Sequence, residues 1–133
     1  MERKRILIAD DETHILNVVS LKLKNAGFEV VTAEDGSEAF HLAVTTSPDL
    51  IITDYQMPQL SGVELGVRLS SRPGFAPIPT ILLTARGFSI TEEDKMAANI
   101  LEIIHKPFSP RMVLESVQQR LEASTLSEDA VSA

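Results

Sequence analysis

Four short stretches carry side chains that could act on phosphorus or hold a hard cation. They are Asp10-Asp11, Asp54, Thr84, and Lys106 followed by Pro107. Three carboxylates, one hydroxyl and one ammonium form a restrictive set if the fold brings them together. Two carboxylates about 4 Å apart repel by roughly 4 kcal/mol at an effective dielectric of about 20. They must share a proton, pair with Lys106, or bind a cation. An oxygen-rich site completed by waters and a substrate phosphate suits Mg²⁺, with Mn²⁺ as a substitute. A carboxylate beside such a cation can attack phosphorus and become an aspartyl phosphate. The cation and Lys106 would then neutralise charge on the equatorial oxygens, and Thr84 could donate a hydrogen bond to the new group.

Each residue also has a plainer reading. Asp10 and Asp11 could cap a helix. Thr84 alone would more often end a strand, and Lys106 alone would more often be solvated. Asp54 is harder to set aside, because an acid directly after a buried strand needs a partner. His14, His41 and His105 have no metal-ligand spacing and read as surface residues.

The elements around these residues say why they would converge. Five apolar runs read as strands buried on both faces: 5–9, 28–33, 50–53, 80–84 and 100–104. The second alternates most and is expected nearest an edge. Helical patterns lie between them. Ile15, Val19, Leu23 and Ala26 form one stripe, ended by Gly27. Asp35 with Glu38, Ser61 with Glu64, and Ser89 with Glu92 have capping-box spacing. Ser109-Pro110 starts a last helix with the stripe Val113, Val117 and Leu121. Residues 89–98 are the weakest helix. The pattern predicts an α/β fold: a doubly wound parallel sheet with helices on both faces. Ligands of such sheets bind beyond the carboxyl ends of the strands, where Asp10-Asp11, Asp54, Thr84 and Lys106 all fall.

Composition narrows the function. A chain of 133 residues with 44% apolar residues suits one core, expected over residues 1–121, with 122–133 as a flexible tail. Cysteine is absent, which removes disulfides and thiolate metal sites and fits a reducing cytoplasm. The basic start is followed by too short an apolar run for a secretory signal, and no segment is long enough for a membrane helix. A net charge of −7 disfavours nucleic-acid binding by this chain alone.

Taken in order, Asp10-Asp11, Asp54 with Met57-Pro58 and Gly62, Thr84-Ala85, and Lys106-Pro107-Phe108 resemble the signature set of the response-regulator receiver family. The resemblance spans residues 4 to about 121. Each motif is weak alone; the set, each at a strand end, is specific. The resemblance implies a flavodoxin-like sheet of five strands ordered 2-1-3-4-5. It implies Asp54 as phosphoacceptor, with Asp11, Asp54 and the Gln56 backbone carbonyl as Mg²⁺ ligands and Asp10 acting through water. Thr84, Ala85 and Lys106 would contact the phosphoryl group, the Lys106–Pro107 bond would be cis, and Pro58 and Gly62 would be structural. The donor would be a histidine kinase or histidine phosphotransfer protein, and the output a downstream protein effector. Such a protein catalyses its own phosphorylation and dephosphorylation and is not a turnover enzyme. No output module follows Leu121, so a stand-alone receiver is expected.

Three departures bear on the output. Ile103 stands where the family often has Tyr or Phe, so no ring can swing inward there. Asn99 stands where Gly is common, though asparagine also tolerates positive φ. Gln56 and Arg86 occupy positions that tune phosphoryl lifetime in the family. The face formed by the fourth helix, fifth strand and fifth helix is still expected to carry the signal, and it leaves open a homodimer. Competing readings are a receiver-fold interaction module that is never phosphorylated, an aspartyl-nucleophile phosphatase, and a flavodoxin-like carrier. The intact acid, threonine and lysine set argues against the first. The missing Asp-x-Asp pattern after the first strand argues against the second, and acids in place of a phosphate loop against the third.

Overall fold

A computed structural model describes residues 3–73, 77–85 and 90–132, with side chains through 121. The strands are β1 (Arg5–Ala9), β2 (Glu29–Ala33), β3 (Leu50–Asp54), β4 (Thr80–Thr84) and β5 (Ile100–His105). The helices are α1 (Thr13–Asn25), α2 (Gly36–Thr46), α3 (Gly62–Ser70), α4 (Glu92–Ala97) and α5 (Pro110–Ser132). All strand pairs are parallel, in the order β2-β1-β3-β4-β5. The α/β, five-stranded, 2-1-3-4-5 expectation therefore holds, with the alternating second strand at an edge.

Alternation along each strand sorts the core into layers. Ile6 and Ile8 of β1, with Leu50 and Ile52 of β3, face α1 and α5 through Leu16, Val19, Leu23, Val113 and Val117. Leu7 and Ile51 face the other way, onto Ala39 and Ala43 of α2 and Leu65 and Leu69 of α3. A smaller cluster of Leu82, Ala98 and Ile100 lies under α4, joined by half-buried Tyr55, Val63, Val67, Ile90 and Ile103. β5 closes the far edge with a register shift that leaves Leu101 unpaired, a bulge of the kind that blunts open edges.

Local readings were right where the signal was self-contained. Ser61 and Glu64 form a complete capping box. Asp35 accepts from the Glu38 N–H at 2.8 Å, while Glu38 reaches back to the Glu34 N–H rather than to Asp35. Ser109 accepts from the Met112 N–H ahead of α5. Gly27 and Asn99 both adopt positive φ, at 100° and 56°.

Other readings shift. Strands β3 and β5 each extend by one residue, to include Asp54 and His105. α1 buries Leu16 with Val19 and Leu23, so Ile15 is at the stripe's margin and Ala26 is outside it. α4 is capped by Thr91 with Asp94, not by Ser89 with Glu92. Both pairs have the spacing, and the Thr91 side chain accepts from the Asp94 N–H while Asp94 accepts from the Thr91 N–H. α5 runs from Pro110 through Ser132, past the stripe that ends at Leu121. Side chains of 122–132, and residue 133 altogether, lie outside the described residues. No helix among the described residues is long and apolar enough to cross a membrane.

Candidate functional site

The apolar runs of β1 and β3 drive both strands to the sheet centre, and the chain turns polar as each emerges. The register Ala9↔Thr53 brings Asp10 and Asp54 to the same end, where the strand order reverses. Asp10 is fully buried. Its Oδ1 accepts the Glu12 N–H at 2.9 Å, and its own N–H donates to the Ala33 carbonyl at 3.1 Å. Asp54, the last residue of β3, is 7% exposed. Asp11 points to solvent at the rim.

Lys106 arrives from β5. Its N–H donates to the Thr84 carbonyl at 2.9 Å, tying it to the end of β4, and its bond to Pro107 is cis. The ammonium lies 3.3 Å from Asp54 Oδ1, 3.5 Å from Asp10 Oδ2 and 3.3 Å from Glu12 Oε1. A cavity of about 330 Å³ opens here, lined by Asp11, Glu12, Asp54, Gln56, Thr84, Ala85 and Lys106.

The loop after Asp54 is tightly built. The Tyr55 N–H donates to the Leu83 carbonyl, and the Gly62 N–H to the Tyr55 carbonyl, both at 2.9 Å. The Pro58 carbonyl accepts from Gly36 and Leu60, and Met57 packs on the α2–α3 side of the core. Gly62 is required by close approach: a Cβ there would lie 2.5 Å from the Asp54 carbonyl oxygen and 2.7 Å from Leu82 Cδ1. The glycine thus lets α3 start directly against the end of β3.

Charge in the site is out of balance. One ammonium faces Asp10, Asp54 and Glu12, with Asp11 close by. Burial, then the like charge of Asp10, pushes the Asp54 carboxyl up to about 6, against the pull of Lys106. Burial likewise raises Asp10, outweighing the Glu12 N–H and Lys106. Burial works to lower Lys106, but Asp54 and Asp10 outweigh it and hold the ammonium above its ordinary range. Asp10, Asp11 and Asp54 each offer an oxygen within 4.8 Å of the others. An all-oxygen set with surplus negative charge fits a hard divalent cation such as Mg²⁺.

The residues expected at the site from the sequence, Asp10, Asp11, Asp54, Gln56, Thr84, Ala85 and Lys106, therefore lie together. Pro58 and Gly62 shape the loop beside them. Ile103 lies apart, half-buried in the cluster under α4. Arg86 lies outside the described residues. Glu12 was missed as a site residue. It adjoins the acid pair in sequence, but nothing local indicates a contact to Lys106, 94 positions away.

Residues 6–118 match the family described as the response regulator receiver domain. The chain is 35% identical over 124 residues to the alkaline phosphatase synthesis transcriptional regulatory protein PhoP of Bacillus subtilis, covering 93% of this chain and 51% of that protein. It is 39% identical over 111 residues to the phosphate regulon transcriptional regulatory protein PhoB of Pseudomonas aeruginosa, covering 84% and 48%. The chain thus spans about half the length of these curated relatives. Among solved structures, chemotaxis response regulator CheY4 of Vibrio cholerae superposes with a TM-score of 0.80 at 30% identity, over 89% of this chain and 98% of that one. A CheY-like receiver domain protein of Methanospirillum hungatei gives the same score at 28% identity, over 95% and 99%. With the family matched across almost the whole sheet and the acid–threonine–lysine set gathered at its carboxyl end, this chain belongs to the response-regulator receiver family of two-component systems.

Proposed function

We propose that this receiver accepts a phosphoryl group on Asp54 from a histidine kinase or histidine phosphotransfer protein. The observation that carries the reading is the placement of Asp54 beside Asp10 and Asp11, with the Lys106 ammonium 3.3 Å from its Oδ1 in a cavity that also holds Thr84 and Ala85. Asp54 attacks as the carboxylate. Its oxygen bonds to phosphorus while the donor's P–N bond breaks, and the electron pair returns to the imidazole nitrogen. Lys106 pairs with the phosphoryl oxygens, and the Thr84 hydroxyl and the Ala85 N–H donate to them. Asp11, Asp54 and the Gln56 carbonyl would hold Mg²⁺, with Asp10 assisting through water. The cation supplies charge neutralisation at the phosphoryl oxygens. Water attacking the same phosphorus later releases phosphate and restores Asp54, with Gln56 and Arg86 tuning that lifetime.

A phosphoryl group adds up to about two negative charges. It can act only by favouring one of two conformations, and the pull on Thr84 and Lys106 is the source of that preference. The responding face is α4, β5 and α5, which would engage a protein effector or a second copy. The two relatives described above are transcriptional regulators about twice this length, so an output acting on transcription is part of this proposal.

Acetyl phosphate with Mg²⁺ tests the acceptor. The wild type should gain about 80 Da, the mass of one phosphoryl group. Asp54→Asn should gain nothing, and omission of Mg²⁺ should suppress the adduct. A wild type that stays unmodified would leave a receiver-fold interaction module as the better reading.

A further inference from the structure

Lys106 is shared among three carboxylates, and only two of them belong to the acceptor cluster. The third, Glu12, lies at 3.3 Å, as near as Asp54. Its position is set from both ends. The Glu12 N–H is bound by Asp10 Oδ1, which fixes its backbone beside the cavity. It is also the N-cap of α1 and makes no side-chain cap bond, so its carboxylate is free to reach across. The Glu12 side chain is 60% exposed, whereas Asp54 and Asp10 are 10% and 0%. Glu12 is therefore the one anchor of Lys106 that water can take over when the ammonium leaves.

Glu12 also stands between two cavities. It lines the acceptor cavity and an apolar groove of about 510 Å³ formed with His14, Ile15, Val18, Pro107 and Phe108. The Glu12–Lys106 pair is part of the wall between them.

We propose that Glu12 is a positioning residue that holds Lys106 at the cavity rim in the resting protein and releases it to the phosphoryl group on Asp54. The proposal rests on Asp54 being the acceptor. The sharing of one ammonium explains the direction. A phosphoryl group carries more charge than a carboxylate and presents several acceptor oxygens, so Lys106 gains by leaving Glu12, and the exposed Glu12 loses little because water solvates it. The Glu12 carboxylate at the rim of the apolar groove then goes from paired with Lys106 to unpaired, so the state of Asp54 is written on the neighbouring surface.

The test follows the Lys106 side chain by NMR, through its ε-CH₂ and Nζ signals. Spectra are taken for wild type, Glu12→Gln and Glu12→Asp, without metal, with Mg²⁺, and with Mg²⁺ plus beryllofluoride as a phosphoryl surrogate. In the resting states Glu12→Gln should shift the Lys106 signals away from wild type, and Glu12→Asp should restore part of the difference. With beryllofluoride bound, the three proteins should converge on one Lys106 signal. Resting Lys106 signals unchanged by Glu12→Gln would overturn the positioning role. A difference of undiminished size after beryllofluoride binds would overturn the release. If beryllofluoride moves no signal around Asp54 in the wild type, the acceptor assignment fails instead, and the resting spectra still decide whether Glu12 positions Lys106.

Discussion

The carboxyl end of the sheet and the face under α4 are held by different physics. At the carboxyl end, Asp10, Asp54 and Thr84 are buried polar groups at strand ends, Asp10 and Thr84 bonded through their backbones to a neighbouring strand and Asp54 paired in register with Leu83. The charges of Asp10, Asp54 and Lys106 act on one another, so moving one changes the energy of the others. Under α4 the contacts are aliphatic and few. The helix has six residues and buries none of its own, and Met96 on it is 82% exposed. Leu82, Ala98 and Ile100 are the only fully buried members of that cluster among the described residues. The first region is over-determined and suited to keeping a geometry. The second can shift at small cost, as a responding element must.

That contrast can be broken most sharply at Gly62, where the acceptor end has no room. Gly62→Ala should destabilise the protein by about 1–3 kcal/mol, because a methyl group must displace the Asp54 carbonyl or Leu82. Urea unfolding measures it, and a change below about 0.5 kcal/mol would mean that the close approach is relieved cheaply.

The next effect is electrostatic. The Asp54 carboxyl is raised in the folded state from 3.8 to about 6, so folding favours its protonated form. Its contribution is therefore fully present below about pH 4 and is lost as pH rises through about 6. At neutral pH the metal-free wild type carries a buried carboxylate that Asp54→Asn lacks. The variant should melt higher at pH 7.5 in chelator, by the equivalent of about 1–2 kcal/mol. The gain should shrink as the pH falls toward 4. A gain that is constant with pH would point to packing rather than charge.

The smallest effect concerns the face under α4. Adding beryllofluoride and Mg²⁺ should move backbone amide signals at residues 100–104 and along 92–98, while those at the centre of β1 and β2 stay nearly fixed. Amides of 92–104 that do not respond would show that output leaves by another face. Ile103 carries no ring, but it shares its cluster with Tyr55, the residue after Asp54 and the only tyrosine in the chain. Tyr55 is bonded through its backbone to Leu83 and Gly62, so the chain directly after Asp54 contacts that cluster without an aromatic at position 103.

Much of the fold was legible in the sequence because its signals are local. Strand-length apolar runs, a helix stripe such as Val113–Val117–Leu121, and a box such as Ser61–Glu64 depend on residues a few positions apart. The gathering of Asp10, Asp11, Asp54, Thr84 and Lys106 at one end was legible for a related reason. Polar residues at the ends of buried strands stand out, and parallel strands gather their ends. The reading of α4 was poorer because two overlapping pairs, Ser89–Glu92 and Thr91–Asp94, offer the same local chemistry, and spacing alone does not choose between them.

By itself, then, the sequence determined a sheet of buried strands with Asp10, Asp11, Asp54, Thr84 and Lys106 at one end, since burial of apolar runs leaves those residues nowhere else to go. Only the tertiary structure decided how their charges are shared. Glu12 meets Lys106 across 94 residues, and Tyr55 joins the cluster of Ile103, because strand order and register set those distances. Local patterning carries no information about such pairs, since it is blind to which strand ends become neighbours.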